Sequence, residues 1–362
     1  MVNDRGPQLR VNTRSEWVNV ATDAMWEAMQ RAVIGWPHRG EDQNINRLER
    51  MVALLTGKEA ALFVPTTNCA NLLAMMALCR GGEQVIMEHR CHLWWVEQNI
   101  PRLTAAAPRM LPGNKFGEMA LDDIESAINE QRYGMRPKTA AVCLENTHNV
   151  CGGVALSPQS IAQVVAVAHR YGARVFIDGA RLFNAAAAHQ VSLREMTADV
   201  DALSLSLNKG LGAPFGAMLC GSKELIASSR KNHAVLGSHS IHKVGFLAAA
   251  AIVALETMVD RLPEDHARAR NLAESLAETP GLHVDLETVQ TNIVRVELDE
   301  MQPAAFVELV EAKGVGVLVL DAKAVKFITH YGITDEDIVT AAAVVKEVLA
   351  ENSAAAVRST TM

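Results

Sequence analysis

Six short apolar runs, most of them separated by segments of helix length, limit what this chain can become. The runs are AALFVP (60–65), EQVIM (83–87), AAVCLE (140–145), RVFID (174–178), ALSLSL (202–207) and GAMLC (216–220). They are apolar nearly throughout, as strands covered on both faces must be; a strand with one wet face alternates. Between most of them lie amphipathic stretches such as ANLLAMMALC and SPQSIAQVVAVAHRYG. Ser157 and Pro158 open the second of these and Gly172 closes it, which are helix start and stop signals. Strands alternating with helices predict an α/β fold whose large domain is a mainly parallel sheet covered by helices on both faces.

The rhythm is framed by other patterns. Ahead of it, helical periodicity runs around Thr22 to Ile34 and Asn44 to Leu55, the latter ending at Gly57. Behind it, a long helical pattern extends from Phe246 to Leu262, Pro263 interrupts it, and another helix ends near Gly281. The shorter strand-like runs NIVRVEL, GVGVLVL and VKFITH then suggest a smaller α+β domain. The expected division is an N-terminal segment 1–57 packing on the large domain or a partner subunit, a large domain 58–250, a small C-terminal domain 251–352 and a disordered tail 353–362. With 362 residues there is enough chain for more than one core.

Composition removes several classes of function. A 49% hydrophobic, 21% charged chain is an ordinary globular one. A net charge of −7 leaves no basic footprint for nucleic acid. The longest apolar stretch, FLAAAAIVAL from Phe246, is too short for a bilayer, so no membrane span is expected. The charged start MVNDRGPQLR is unlike a signal peptide, which points to the cytoplasm. Six cysteines without a CxxC pair suggest reduced thiols, with neither a disulfide framework nor a metal site.

In open α/β sheets, ligands bind beyond the carboxyl ends of the strands. Those ends carry Thr66-Thr67-Asn68, nearby His92, Glu145-Asn146-Thr147-His148, Asp178 with Arg181, and Asn208-Lys209. Lys209 follows an apolar strand and opens the glycine-rich loop NKGLGAPFGAML. A poorly solvated lysine has a lowered pKa and a nucleophilic amine, although a lone lysine at a turn is more often simply solvated. Asp178 is suited to pairing with a protonated pyridine nitrogen; capping the next turn would explain it equally well. Thr66, Thr67 and Asn68 sit at a helix start, where amides and hydroxyls hold phosphate or merely cap the helix. His92 and His148 are candidate bases near neutral pH, and a single histidine at a helix start is more often structural.

Three segments, LENTHN (144–149), IDGARLFNAA (177–186) and SLNKGLGAPFGAML (206–219), resemble signature segments of the low-specificity threonine aldolases. These belong to the aldolase and β-eliminating lyase branch of the fold-type I pyridoxal-phosphate enzymes. RGEDQNINRLER, KEAALFVPTTNCANLLA, TNIVRVEL and VKFITH extend the resemblance in order over roughly the whole chain. It implies a pyridoxal 5'-phosphate cofactor bound to Lys209, with Asp178 on the pyridine nitrogen and His92 stacked on the ring. Arg181, assisted by Ser15, would hold the substrate carboxylate, and His148 and His92 would act on the β-hydroxyl. The implied reaction is cleavage of a β-hydroxy-α-amino acid to glycine and an aldehyde, by a homotetramer built as a dimer of dimers. A transaldolase, a β-eliminating lyase and a cofactor-binding regulatory protein without turnover are the alternatives.

The chain departs from the family at four places. Thr66-Thr67-Asn68 replaces a Ser-Gly-Thr phosphate loop, and Arg39 stands where the family has tyrosine. GSHSIH (237–242) replaces Gly-Gly-Gly-Met-Arg, leaving His242 near the site of a phosphate-binding arginine. Lys326 replaces a carboxylate-binding arginine, and a lysine cannot form the bidentate clamp. Arg39 and Lys326 are therefore the expected determinants of substrate choice.

Overall fold

The computed structural model describes residues 9–98, 100–130, 137–237 and 241–360. Of the GSHSIH stretch, Ser238 to Ser240 lie outside the described residues, as do residues 361 and 362 of the expected tail. The chain forms two compact units. The larger comprises Val20–Asn149 and Val154–Asp260; the smaller combines the chain up to Asn19, Val150–Gly153 and everything from Arg261.

The larger unit is built on a seven-stranded sheet. In spatial order its strands are Ala60–Val64, Ala217–Gly221, Ala202–Ser206, Arg174–Asp178, Thr139–Glu145, Gln84–Glu88 and Ala107–Leu111. Ala217–Gly221 runs antiparallel to both neighbours, and the other pairings are parallel. The six apolar runs of the sequence thus all become strands. Ala107–Leu111 is a seventh that the apolar pattern does not reveal: it is an edge strand, carries the half-buried Pro108 and Arg109, and is only partly covered. Proline is tolerated at an edge because no ladder hydrogen bond is needed there. One core packs Leu62, Leu73, Met75, Val85, Phe176 and Leu219 together.

The helices start and stop where their caps dictate. Thr22 caps Asp23–Arg31, Asp42 caps Gln43–Thr56 with left-handed Gly57 behind it, and Ser157 with Pro158 opens Pro158–Arg170. The apolar stretch after Phe246 is the 13-residue helix Gly245–Thr257, packed on Asp23–Arg31. Its run of alanines allows close helix approach, which is why it belongs with the larger unit and why the division falls at Arg261 rather than at 251. Among the described residues no helix is long and apolar enough to cross a membrane.

The smaller unit holds the antiparallel strands Leu318–Val319, Ala324–Ile328, Ile293–Leu298 and Leu282–His283. Val11–Asn12 pairs in parallel with Val315–Gly316, so the start of the expected N-terminal segment is part of this unit. Leu272, Leu276, Val296, Phe306 and Phe327 fill its core. Pro263 does not interrupt a helix; it sits in the first turn of Leu262–Ala277, where its missing N–H costs nothing. The final helix Asp335–Thr360 also continues beyond Ser353 rather than giving way to an irregular tail. Ala354, Ala355 and Ala356 are strong helix formers.

Candidate active site

The carboxyl ends of the larger unit's strands gather a cluster around Asp178. Asp178 closes Arg174–Asp178 beside Glu145, its partner in register on the next strand. It is 2% exposed, and its Oδ1 has no hydrogen-bond partner. His92 lies against it, with Nδ1 3.9 Å from Asp178 Oδ2 and 3.0 Å from Glu97 Oε1. The His92 amide donates to Glu145 Oε2 at 2.7 Å, and the Asn149 amide donates to Glu145 Oε1 at 2.9 Å. One carboxylate thereby ties the His92 turn to the LENTHN loop.

Glu97 and Asn71 complete the cluster, and neither stands out in the sequence. Leu93–Glu97 forms a single wide turn of π type, whose i to i+5 closure returns Glu97 to His92. An ordinary helix would place these two side chains on different faces. Asn71, fully buried on Thr67–Leu78, donates to Glu97 Oε1 at 2.8 Å. One side-chain nitrogen or oxygen from each of His92, Glu97 and Asp178 lies within 4.8 Å of the other two.

This crowding sets the protonation states. Burial pushes the Asp178 carboxyl above its ordinary value; His92, Lys209 and Asn71 oppose the shift, and Glu145 adds to it. Burial likewise pushes Glu97 up to about 7, with Asp178 adding to the rise while His92 and Asn71 restrain it. Burial works against a cation at His92, yet Glu97, Asp178 and Glu145 together hold its pKa above the usual imidazole value. Ionisable groups this close, His92 and Glu97 above all, titrate jointly rather than one by one.

Lys209 is half-buried in the loop after Ala202–Ser206, and its charge is felt at Asp178. Three backbone bonds shape that loop, Ala213 N to Leu207 O at 3.0 Å, Gly212 N to Lys209 O at 2.9 Å and Leu207 N to Gly216 O at 3.1 Å. Its far end needs glycine: Gly216 has φ +102°, and a Cβ there would stand 2.3 Å from the Phe63 ring. Thr66 caps Thr67–Leu78, accepting from the Cys69 amide at 3.1 Å, with Thr67 buried and Asn68 exposed beside it. Arg181 is buried at the start of Leu182–His189, three residues beyond Asp178. His148, 1% exposed, lies 3.1 Å through Nε2 from Glu88 Oε2.

The remaining candidates stand elsewhere. Arg39 is exposed and stacks over Trp36 at 4.6 Å, and His242 is exposed ahead of Gly245–Thr257. Neither joins the Asp178 cluster through a described hydrogen bond or ion pair. Ser15 and Lys326 belong to the smaller unit. There Ser15 caps the short helix Glu16–Val18, and Lys326, 7% exposed, pairs in register with Arg295 and Leu318.

The sequence profile of the beta-eliminating lyase family matches residues 12–299. Low-specificity L-threonine aldolase 1 of Arabidopsis thaliana is 34% identical over 334 residues, covering 91% of this chain and 93% of that protein. The low specificity L-threonine aldolase of Escherichia coli K12 is 32% identical, covering 92% and 97% respectively. The chain belongs to the low-specificity threonine aldolase family. With the family comes the enzyme class, a lyase. A threonine aldolase structure from Leishmania major superposes with a TM-score of 0.78 at 18% identity, over 93% of this chain and 99% of that one, which agrees with the fold-type I architecture. Within this family fold, the ends of adjacent parallel strands bring Asp178 and Glu145 side by side, and turn geometry adds His92 and Glu97.

Proposed function

We propose that the chain is a pyridoxal-phosphate-dependent aldolase that reversibly cleaves a threonine-like β-hydroxy-α-amino acid to glycine and an aldehyde. The observation that carries the reading is Asp178: a nearly inaccessible carboxylate with an oxygen lacking any donor. Glu97 Oε2 and Asn71 Oδ1, two further acceptors of the same cluster, also lack partners. Buried acceptors without donors are costly, and a pyridinium N–H provides a donor and a positive charge together. The residues therefore fit pyridoxal phosphate. Lys209 would anchor it, Asp178 would hold its nitrogen protonated, His92 would lie on its ring, and Thr66 to Asn68 would receive its phosphate at a helix start.

When bound, pyridoxal phosphate supplies an electron-poor ring that takes up the electron pair left at Cα as the Cα–Cβ bond breaks. Arg181 binds the substrate carboxylate and so decides which Cα bond is aligned for cleavage. His148, with His92, accepts the β-hydroxyl proton. For Ser15, Lys326, Arg39 and His242, a substrate or cofactor role rests on the family correspondence alone. A homotetramer is the assembly we favour, supported by the exposed apolar side chains Trp26, Val33, Ile34 and Trp36 in one short stretch.

Borohydride reduction of the cofactor-loaded protein, followed by peptide mapping, is expected to leave the pyridoxyl group on Lys209; a label on another lysine refutes the assignment. Incubation with a panel of β-hydroxy amino acids should give glycine and aldehyde. Ammonia and a keto acid would instead indicate β-elimination, and transfer of the glycyl unit to a second aldehyde would indicate a transaldolase.

A further inference from the structure

We propose that Glu97 is a positioning residue for His92: anchored by Asn71, it holds the imidazole at Nδ1 and supplies the negative charge against which His92 keeps a proton beside the cofactor ring. The proposal deepens the aldolase reading and rests on it for the ring that His92 lies against. The Glu97 side chain is wholly buried. Its Oε1 accepts from Asn71 Nδ2 at 2.8 Å and stands 3.0 Å from His92 Nδ1. The backbone bends to bring it there. Leu93 is buried in the core and pins the wide turn, while Trp95 and Val96 on its outer side are exposed. Gln98 then closes the turn at φ +47°, a left-handed conformation that residues with a side chain rarely adopt. What this unusual turn delivers is a carboxylate at His92.

The need for that carboxylate follows from charge. The loaded site has two cations to balance, the pyridinium and the protonated His92. An imidazolium lying on a cationic ring loses its proton to like-charge repulsion unless an acid of its own stands by. Asp178, 3.9 Å from His92 Nδ1, is suited to the pyridinium. Glu145 also faces His92, but its two oxygens accept from the amides of His92 and Asn149. Lys209 opposes these acids, with a charge that reaches Asp178. Glu97 is the acid that meets the His92 ring directly. Burial works against a cation at His92, and the hydrogen bond to Glu97 is the largest influence in its favour. The effect is mutual, since the same bond restrains the rise that burial imposes on Glu97. Each partner favours the charged form of the other.

Two substitutions separate the charge from the anchor. Glu97→Gln keeps an oxygen in the place of Oε1, able to accept from Asn71 and from His92, and carries no charge. Glu97→Ala removes the anchor as well. Loss of charge lowers the pH at which His92 gives up its proton, and loss of the anchor frees the ring to turn. Substrate affinity should change little in either variant, because the substrate carboxylate is held by Arg181.

The test uses the full chain with and without pyridoxal phosphate. Nitrogen-15 spectra of histidine-labelled protein, with His92 assigned through His92→Gln, follow its titration. In cofactor-free Glu97→Gln the His92 titration should lie about one to two pH units below that of the wild type. With cofactor bound, the visible circular dichroism of the ring should be largely kept in Glu97→Gln and clearly reduced in Glu97→Ala. Glu97→Ala should also lose up to about 100-fold in kcat with KM little changed, and Glu97→Gln should lose less. Thermal melts establish that each variant is folded; if Glu97→Ala is not, the titration in Glu97→Gln decides alone. A His92 titration unmoved in Glu97→Gln overturns the proposal, as do dichroism and kcat unmoved in a folded Glu97→Ala. A wild-type pyridoxyl label on a lysine other than Lys209 would instead remove the aldolase reading, while the cofactor-free titration would still report whether Glu97 holds the proton on His92.

Discussion

Replacing Asp178 by asparagine should stabilise the cofactor-free protein and cripple the loaded one. The side chain is 2% exposed, Oδ1 has no partner, and burial raises the pKa above the ordinary aspartate value. An acid whose folded pKa exceeds its unfolded one lowers stability as pH rises from the unfolded value through the folded one. The loss is about 1.4 kcal/mol for each pH unit that separates the two values. Asparagine carries no such penalty. Cofactor-free Asp178→Asn is therefore expected to melt at or above the wild-type temperature at neutral pH, with the difference closing towards the ordinary aspartate pKa. With cofactor bound the sign reverses. A charge-assisted hydrogen bond is worth about 1.5–3 kcal/mol, so the variant should bind pyridoxal phosphate about 10- to 150-fold more weakly. Turnover should fall further, because the ring nitrogen is no longer held protonated. Thermal melts across the acidic to neutral range and absorbance titration with cofactor give both quantities. A cofactor-free variant destabilised at neutral pH, or one that binds and turns over like the wild type, would refute the reasoning.

Two further outcomes follow from the same geometry. Glu97, raised to about 7, costs stability as pH climbs from the ordinary glutamate value through its folded one, and His92, also raised, loses its stabilising proton as pH climbs from the ordinary imidazole value through its own higher one. Glu97→Gln should therefore flatten the fall of cofactor-free stability across neutral pH, and an unchanged slope in pH-dependent melts would sink the idea of a shared proton. Gly216→Ala forces a Cβ against the Phe63 ring at a positive φ. It should cost at least about 2 kcal/mol in urea unfolding, and a loss below half of that would show that the loop relaxes freely.

What could be read directly from the residues was whatever depends on local pattern. Strands buried on both faces announce themselves as continuous apolar runs, so six strands of the larger sheet were visible. Ala107–Leu111 was not, because an edge strand needs only one covered side and tolerates Pro108 and Arg109. Asp178 and Lys209 stood out because each follows such a run, where parallel topology opens a binding cleft. Glu97 and Asn71 carried no comparable signal. They meet His92 only because one turn is wide and because the helix Thr67–Leu78 lies beside it. Glu88 also ends an apolar run, yet nothing in its own segment says that His148, 60 residues later, shares its carboxylate. The unit boundary at Arg261 likewise followed from where an alanine-rich helix finds a partner. Periodicity and strand-end position are properties of neighbouring residues, so the chain alone determines them. Desolvation and through-space charge depend on atoms brought close from distant segments, so only the folded structure decided which carboxyls are pushed up and which are held down.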